Sequence, residues 1–273
     1  MAATPFYYFR PADNVADTAT ATWQTGTADS SYPVANAVDF GYAKIAAPAK
    51  ITGVTGALML DFGSAQRVDY VLLWHNLDAA LACAVQMHAT NSWGTPTVTT
   101  SPTIPAKRAD GYTRKVGVDL RGVSGYSTGG FRYLRVNISG TNSVPVGLKV
   151  MAFSGVRQLS RGFLLSLEDV EQQTAIQMQT DARVPWAYDL TSAPRSLRGS
   201  SILSDTDAES VREWFRACAG PVRPTVIVPY PTGTDAWLVR WTSDGLTTRR
   251  RLADVNEVSL SFDEITAGDP EWT

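Results

Sequence analysis

Leu58-Met59-Leu60-Asp61-Phe62-Gly63, the link Ser64-Ala65-Gln66-Arg67, and then Val68-Asp69-Tyr70-Val71-Leu72-Leu73-Trp74 form the stretch whose reading decides the fold. The first run is short, apolar and stopped by a glycine, as a strand is. The second becomes continuously apolar in its later half, which marks a strand buried on both faces. Outward from there, Cys83-Ala84-Val85-Gln86-Met87-His88-Ala89 puts Cys83, Val85, Met87 and Ala89 on one face and Gln86 and His88 on the other. Phe131 to Ile138 and Gly147 to Phe153 alternate in the same way. Turn residues separate these runs, and no amphipathic helix is legible before residue 155, so this part reads as all-β.

The rest of the chain changes character. Ile176, Met178, Thr180, Ala182 and Val184 alternate with Gln177, Gln179, Asp181 and Arg183, a strand with one core face and one wet face. Ser204 to Glu209 is an N-cap cluster, with Thr206 and Glu209 at capping-box spacing. Ala208, Val211, Phe215 and Cys218 then form one helical stripe that Gly220-Pro221 ends, which predicts Phe215 in the core and Trp214 on a flank or at a subunit contact. Strands are expected at Thr225 to Val228, Ala236 to Trp241, Thr247 to Leu252 and around Val258, Leu260 and Phe262. The fold class is thus mainly all-β, a β-sandwich domain followed by a second with one flanking helix.

Charge divides the chain at the same place. Residues 1–155 hold five Lys and seven Arg against nine Asp and no Glu, a net of +3; residues 156–273 hold twelve Arg against ten Asp and seven Glu, a net of −5. We therefore expect domains at 1–158 and 159–273, with the second able to fold alone. With 44% hydrophobic and 18% charged residues in 273, both halves can build cores. No apolar run is long enough for a membrane-spanning helix, and the first residues do not read as a signal peptide. The net charge of −2 argues against a nucleic-acid binder working by counterion release.

Chemistry-bearing residues are few. The two cysteines, Cys83 and Cys218, are expected reduced, buried and in different domains, and two histidines cannot support an imidazole-rich catalytic design. No nucleophile elbow, phosphate loop or zinc motif occurs, so no catalytic residue, cofactor or metal is expected and the chain reads as a non-enzyme. His75 follows a strand and most simply bonds its own loop. Arg249-Arg250-Arg251 splits over two strand faces, which suits ion pairs better than phosphate tracking. Aromatics on loops, Trp23, Tyr32, Tyr42, Trp93, Tyr112 and Tyr126, offer flat faces for sugar rings. Trp23, Tyr42, Trp93 and His75 are the candidate glycan contacts.

Trp23, Tyr32-Pro33-Val34-Ala35-Asn36-Ala37-Val38-Asp39, the stretch from Leu58 to Val68, and Leu72-Leu73-Trp74-His75-Asn76-Leu77 together resemble the galactose-binding-like (discoidin-type) family over roughly residues 15–155. The resemblance implies a jelly-roll β-sandwich. From about residue 160 to 268, element order and the closing run Val258-Ser259-Leu260-Ser261-Phe262-Asp263-Glu264-Ile265 resemble the tail-tube and distal tail proteins of long-tailed bacteriophages. That resemblance implies a structural ring, a homohexamer, joining the tail tube to the tip or baseplate. Tail tube and hub proteins would be its partners, and it would be a virion tail protein assembled in the host cytoplasm. DNA would pass without specific binding along a lumen for which Gln177, Gln179 and Asp181 are the candidate lining. The alternative is a glycan-binding adhesion module recognising host surface polysaccharide.

Overall fold

A computed structural model describes residues 6–40, 47–105, 114–159, 166–171, 174–179, 185–190, 195–229, 236–242 and 245–265. The first unit is an antiparallel sandwich. One sheet runs Thr20–Thr25, Gly56–Gln66, Phe131–Ile138, Cys83–His88, Val98–Thr100; the facing sheet runs Ala49–Lys50, Gly147–Phe153, Tyr70–His75, Arg114–Asp119. Between them lies an apolar core in which Leu58, Leu60, Leu134 and Val136 of the first sheet meet Val71, Leu73, Val116 and Val150 of the second. The expected mainly all-β class is observed, a jelly-roll sandwich first and then a β-rich domain with one flanking helix. The strand expected to stop at Gly63 continues to Gln66 across an irregularity in its pairing.

Tyr70–His75 is buried at every position because both of its faces are covered. Val71 and Leu73 enter the sandwich core, while Tyr70, Leu72 and Trp74 face a second apolar layer with Phe9, Met151, Phe153, Val226, Val228 and Leu238. That layer is the junction with an eight-stranded sheet, ordered Arg157–Leu159, Phe6–Phe9, Thr225–Val228, Trp237–Trp241, Val255–Glu264, Arg195–Leu203, Ser166–Glu171, with Thr248–Leu252 also on Val255–Glu264. Phe6–Phe9 pairs with Arg157–Leu159 on one side and Thr225–Val228 on the other. One strand from before the break in charge, Phe6–Phe9, therefore belongs to the second sheet, whose other strands all follow that break.

The chain leaves one edge of this sheet at Leu159 and re-enters at the other edge at Ser166. Seven residue steps reach at most about 25 Å, whereas six strand spacings across a flat sheet come to about 29 Å. The sheet must curl. Its concave side holds the helix Asp205–Ala217, and residues from near both edges, Leu159 and Leu197, join one cluster with Ala208, Val211 and Trp214. Ser204 is the N-cap, accepting from the Asp207 N–H at 3.1 Å; Glu209, expected in a capping box with Thr206, instead pairs with Arg212 and Arg216.

The helix phase is a second correction. Trp214 is fully buried among Tyr8, Trp241 and Phe262, whereas Phe215 is only half-buried. Trp214 sits three residues after Val211, within the width of the apolar stripe, and a concave sheet covers more of a helix than a flat one. Its indole N–H donates to Thr225 Oγ1 at 2.9 Å, and that hydroxyl donates to the Phe9 carbonyl, so helix and N-terminal strand share one buried polar chain. Among the described strands, Thr174–Gln179 and Pro185–Leu190 pair only with each other.

Candidate functional site

A cavity of about 470 Å³ opens where the two units meet. One wall is the chain after the first strand: Pro11, Ala12 and Asn14, then Asp17 in the 3-10 turn Val15–Thr18. Opposite stand Val38, Asp39 and Phe40, which follow the turn Val34–Ala37. Met151 and Phe153 supply the floor from the sandwich, and Arg223, Pro224 and Thr225 the side belonging to the curled sheet.

Each wall is held from below. Asn14 Oδ1 accepts from the backbone N–H groups of Ala16 at 3.3 Å and Ala152 at 3.0 Å, and its Nδ2 donates to Asp17. Lys149, fully buried, donates to the carbonyls of Asn36 and Asp39 at 2.6 Å and of Ala47 at 3.0 Å. Three carbonyls converging on one ammonium clasp the segment carrying Asp39 and Phe40, and the Phe40 ring centroid lies 4.7 Å from Nζ. The Asn36-to-Asp39 element of the sequence thus shapes the cavity through its backbone.

Asp17 keeps solvent contact at the cavity mouth, yet its pKa is pushed up to about 6. Burial of the carboxyl is the main cause, the Asn14 hydrogen bond opposes it, and the charge of Asp39 reinforces it. The lining joins the apolar residues Phe40, Met151 and Phe153 to the charged residues Asp17, Asp39 and Arg223, and the volume is within the range of small-molecule sites. Among the described residues no group of three potential metal ligands occurs.

The expected contacts fall elsewhere. Trp23 is half-buried against the sandwich core, and His75 is buried, its Nδ1 accepting from the Leu77 N–H at 3.1 Å as its loop position suggested. Trp93 lies over the outer face of the five-stranded sheet, 4.5 Å from the Arg135 guanidinium. Tyr32 packs under Lys50, and Tyr126 donates to Asp69, so both anchor loops. Tyr42, Tyr112 and Asp181 lie outside the described residues, as do the side chains of Gln177 and Gln179. Arg251 pairs with Glu257, and Arg250 approaches Asp205 at 3.8 Å. Cys83 and Cys218 are free, buried and in separate cores. Sequence reasoning passed over Asp17, Lys149 and Arg223; only Lys149 had a signal, as the one charge in an otherwise apolar strand.

No family model and no curated protein matches the chain. Among solved structures, the lectin domain of lectinolysin complexed with Lewis B antigen is similar at 15% identity and TM-score 0.37, over 52% of this chain and 96% of that one. A Streptococcus pneumoniae fucose-binding module, SpX-3, is similar at 13% and 0.38, over 52% and 98%. The Clostridium perfringens module CpGH89CBM32-6 is similar at 13% and 0.34, over 52% and 99%.

Proposed function

We propose that this protein is a non-enzymatic glycan-binding adhesion protein that seats a sugar in the junction cavity. The observation that carries the reading is the cavity itself, whose lining combines the apolar residues Phe40, Met151 and Phe153 with the charged residues Asp17, Asp39 and Arg223. Saturation-transfer NMR of the full chain against a panel of neutral mono- and disaccharides tests it. Binding is expected for at least one sugar, lost in Phe40→Ala and Asp39→Asn, with no release of reducing ends over hours. A panel without binding, or binding indifferent to both substitutions, rejects the assignment.

A second reading has its own support. In the curled sheet Arg157–Leu159, Ser166–Glu171 and Thr248–Leu252 each have one neighbour among the described strands, and Thr174–Gln179 and Pro185–Leu190 pair with each other and with no other described strand. A lone two-stranded ribbon is marginal in water and open edges invite pairing, so neighbouring copies would shelter both. This is the situation of a ring-forming tail-tip component of a bacteriophage, on which the sandwich would be carried outward as the adhesive part. Solution mass and negative-stain imaging test it: closed rings support it, and a monomer at micromolar concentration with smooth particles overturns it.

A further inference from the structure

Three arginines of the sandwich hold carboxylates through two nitrogens. Arg67 grips Asp69 at 2.7 Å twice, Arg121 grips Asp119 at 3.0 and 2.6 Å, and Arg132 grips Asp61 at 2.8 and 3.0 Å. Arg135 departs from this pattern. Its Nε donates to the amide oxygen of Gln86 at 2.8 Å, and its terminal nitrogens have no partner among the described residues. Arg135 is half-buried, and burial pushes its pKa down.

The surroundings are built. Strand register places Thr22, Met59, Arg135, Gln86 and Thr99 in one row across the five-stranded sheet, on the face away from the sandwich core. The chain after His88 folds back over that row. Asn91 Oδ1 accepts from the Trp93 indole N–H at 2.9 Å and from Gln24 Nε2 at 2.6 Å, which ties it to the far strand and sets Trp93 over Arg135. An indole lies over the guanidinium, its ring centroid 4.5 Å from the guanidinium carbon, and the edge carrying the two terminal nitrogens has no partner among the described residues. That edge matches the two oxygens of a carboxylate. The neighbours are neutral hydrogen-bonding groups suited to hydroxyls, and a single cation suits a monoanion better than a phosphate dianion or a nucleic-acid backbone.

We propose that this face is a second binding site, separate from the junction cavity, for the carboxylate of an acidic sugar residue in a polysaccharide. Arg135 forks the carboxylate, Trp93 holds the guanidinium plane, and Gln86 and Asn91 meet ring hydroxyls. The assignment does not depend on the cavity reading.

Titration calorimetry of the full chain with tetragalacturonate and with 3′-sialyllactose, against neutral galactotetraose and lactose, tests the proposal. At least one acidic sugar is expected to bind tenfold or more tightly than its neutral counterpart. Arg135→Gln and Trp93→Ala should each weaken that binding at least tenfold, Trp93→Phe should retain it, and Phe40→Ala in the cavity should leave it unchanged. Melting curves establish that each variant is folded; if Arg135→Gln does not fold, Arg135→Lys replaces it and is expected to lose binding with the fork. Equal binding of neutral and acidic sugars, no binding of either acid, full affinity in the Arg135 variant, or inorganic phosphate competing at equal concentration would overturn it. Loss in Phe40→Ala with retention in Arg135→Gln would move the acidic sugar into the cavity and likewise reject this site.

Discussion

Trp214 and Phe215 are adjacent aromatics with different tasks. Trp214 is enclosed and hydrogen-bonded, so Trp214→Ala should cost about 3–5 kcal/mol by chemical denaturation. Phe215, with part of its ring in water, should cost about 1–2 kcal/mol. Equal losses would contradict the packing around the helix. Lys149 is a second residue with a large expected effect. Lys149→Met leaves the carbonyls of Asn36, Asp39 and Ala47 without their donor, a loss of at least about 2–3 kcal/mol, and it should abolish sugar binding in the cavity by releasing Phe40. Asp17 makes stability depend on pH. Its folded pKa near 6 lies above the ordinary 3.8, so the ionised form burdens the fold above about pH 6, and the burden fades as pH falls toward 4. Asp17→Asn is therefore expected to raise the melting temperature at pH 8 and to leave it nearly unchanged at pH 4, as thermal melts across that range would show.

At the scale of elements, the first strand carries the most consequence for its length. Phe6 and Tyr8 enter the helix core, and Phe9 packs on Tyr70 and Phe153 with ring centroids 4.7 Å away in each case. A fragment of residues 160–273 lacks this strand, Arg157–Leu159 and three buried apolar side chains of the helix core. It should give a disordered far-ultraviolet circular dichroism spectrum, whereas a fragment with residues 1–9 joined ahead of 156–273 by a flexible linker should recover ordered signal. The helix itself is the most legible element: its N-cap cluster and Gly220-Pro221 end it within a few residues of the observed Asp205–Ala217. Phe131–Ile138 and Gly147–Phe153 are observed at the bounds their alternation predicts. Which sheet a strand joins was not legible, because alternation records that a face is buried and not what buries it.

Across the whole molecule, the junction decides cooperativity. Lys115 of the sandwich and Glu264 of the last strand form an ion pair at 3.0 Å with side chains only 4% and 5% exposed, and Lys115 Nζ lies 4.8 Å from the Trp74 ring centroid. A Cβ at Gly117 would overlap the Tyr70 hydroxyl and reach Ala236 of the other unit at 3.0 Å, so the two surfaces meet without slack. Calorimetry should accordingly show one unfolding transition. Glu264→Gln, which strands a buried ammonium, should cost about 3–5 kcal/mol and split that transition, and Lys115→Met with Glu264→Leu should recover much of the loss.

Local pattern was enough to determine strand against helix, the double-sided burial of Tyr70–His75 and the separate burial of the two cysteines, because each depends on which residues avoid water along a few turns of chain. Tertiary structure alone decided that residues 6–9 belong to a sheet whose other strands follow residue 156, that Trp214 is core, and that Asp17, Phe40 and Arg223 line one cavity. Those facts depend on contacts between segments distant along the chain, and such contacts leave no period in the sequence. Lys149 lies between the two cases: its place in an apolar strand is visible, but the three carbonyls that make a buried ammonium tolerable come together only in the folded chain.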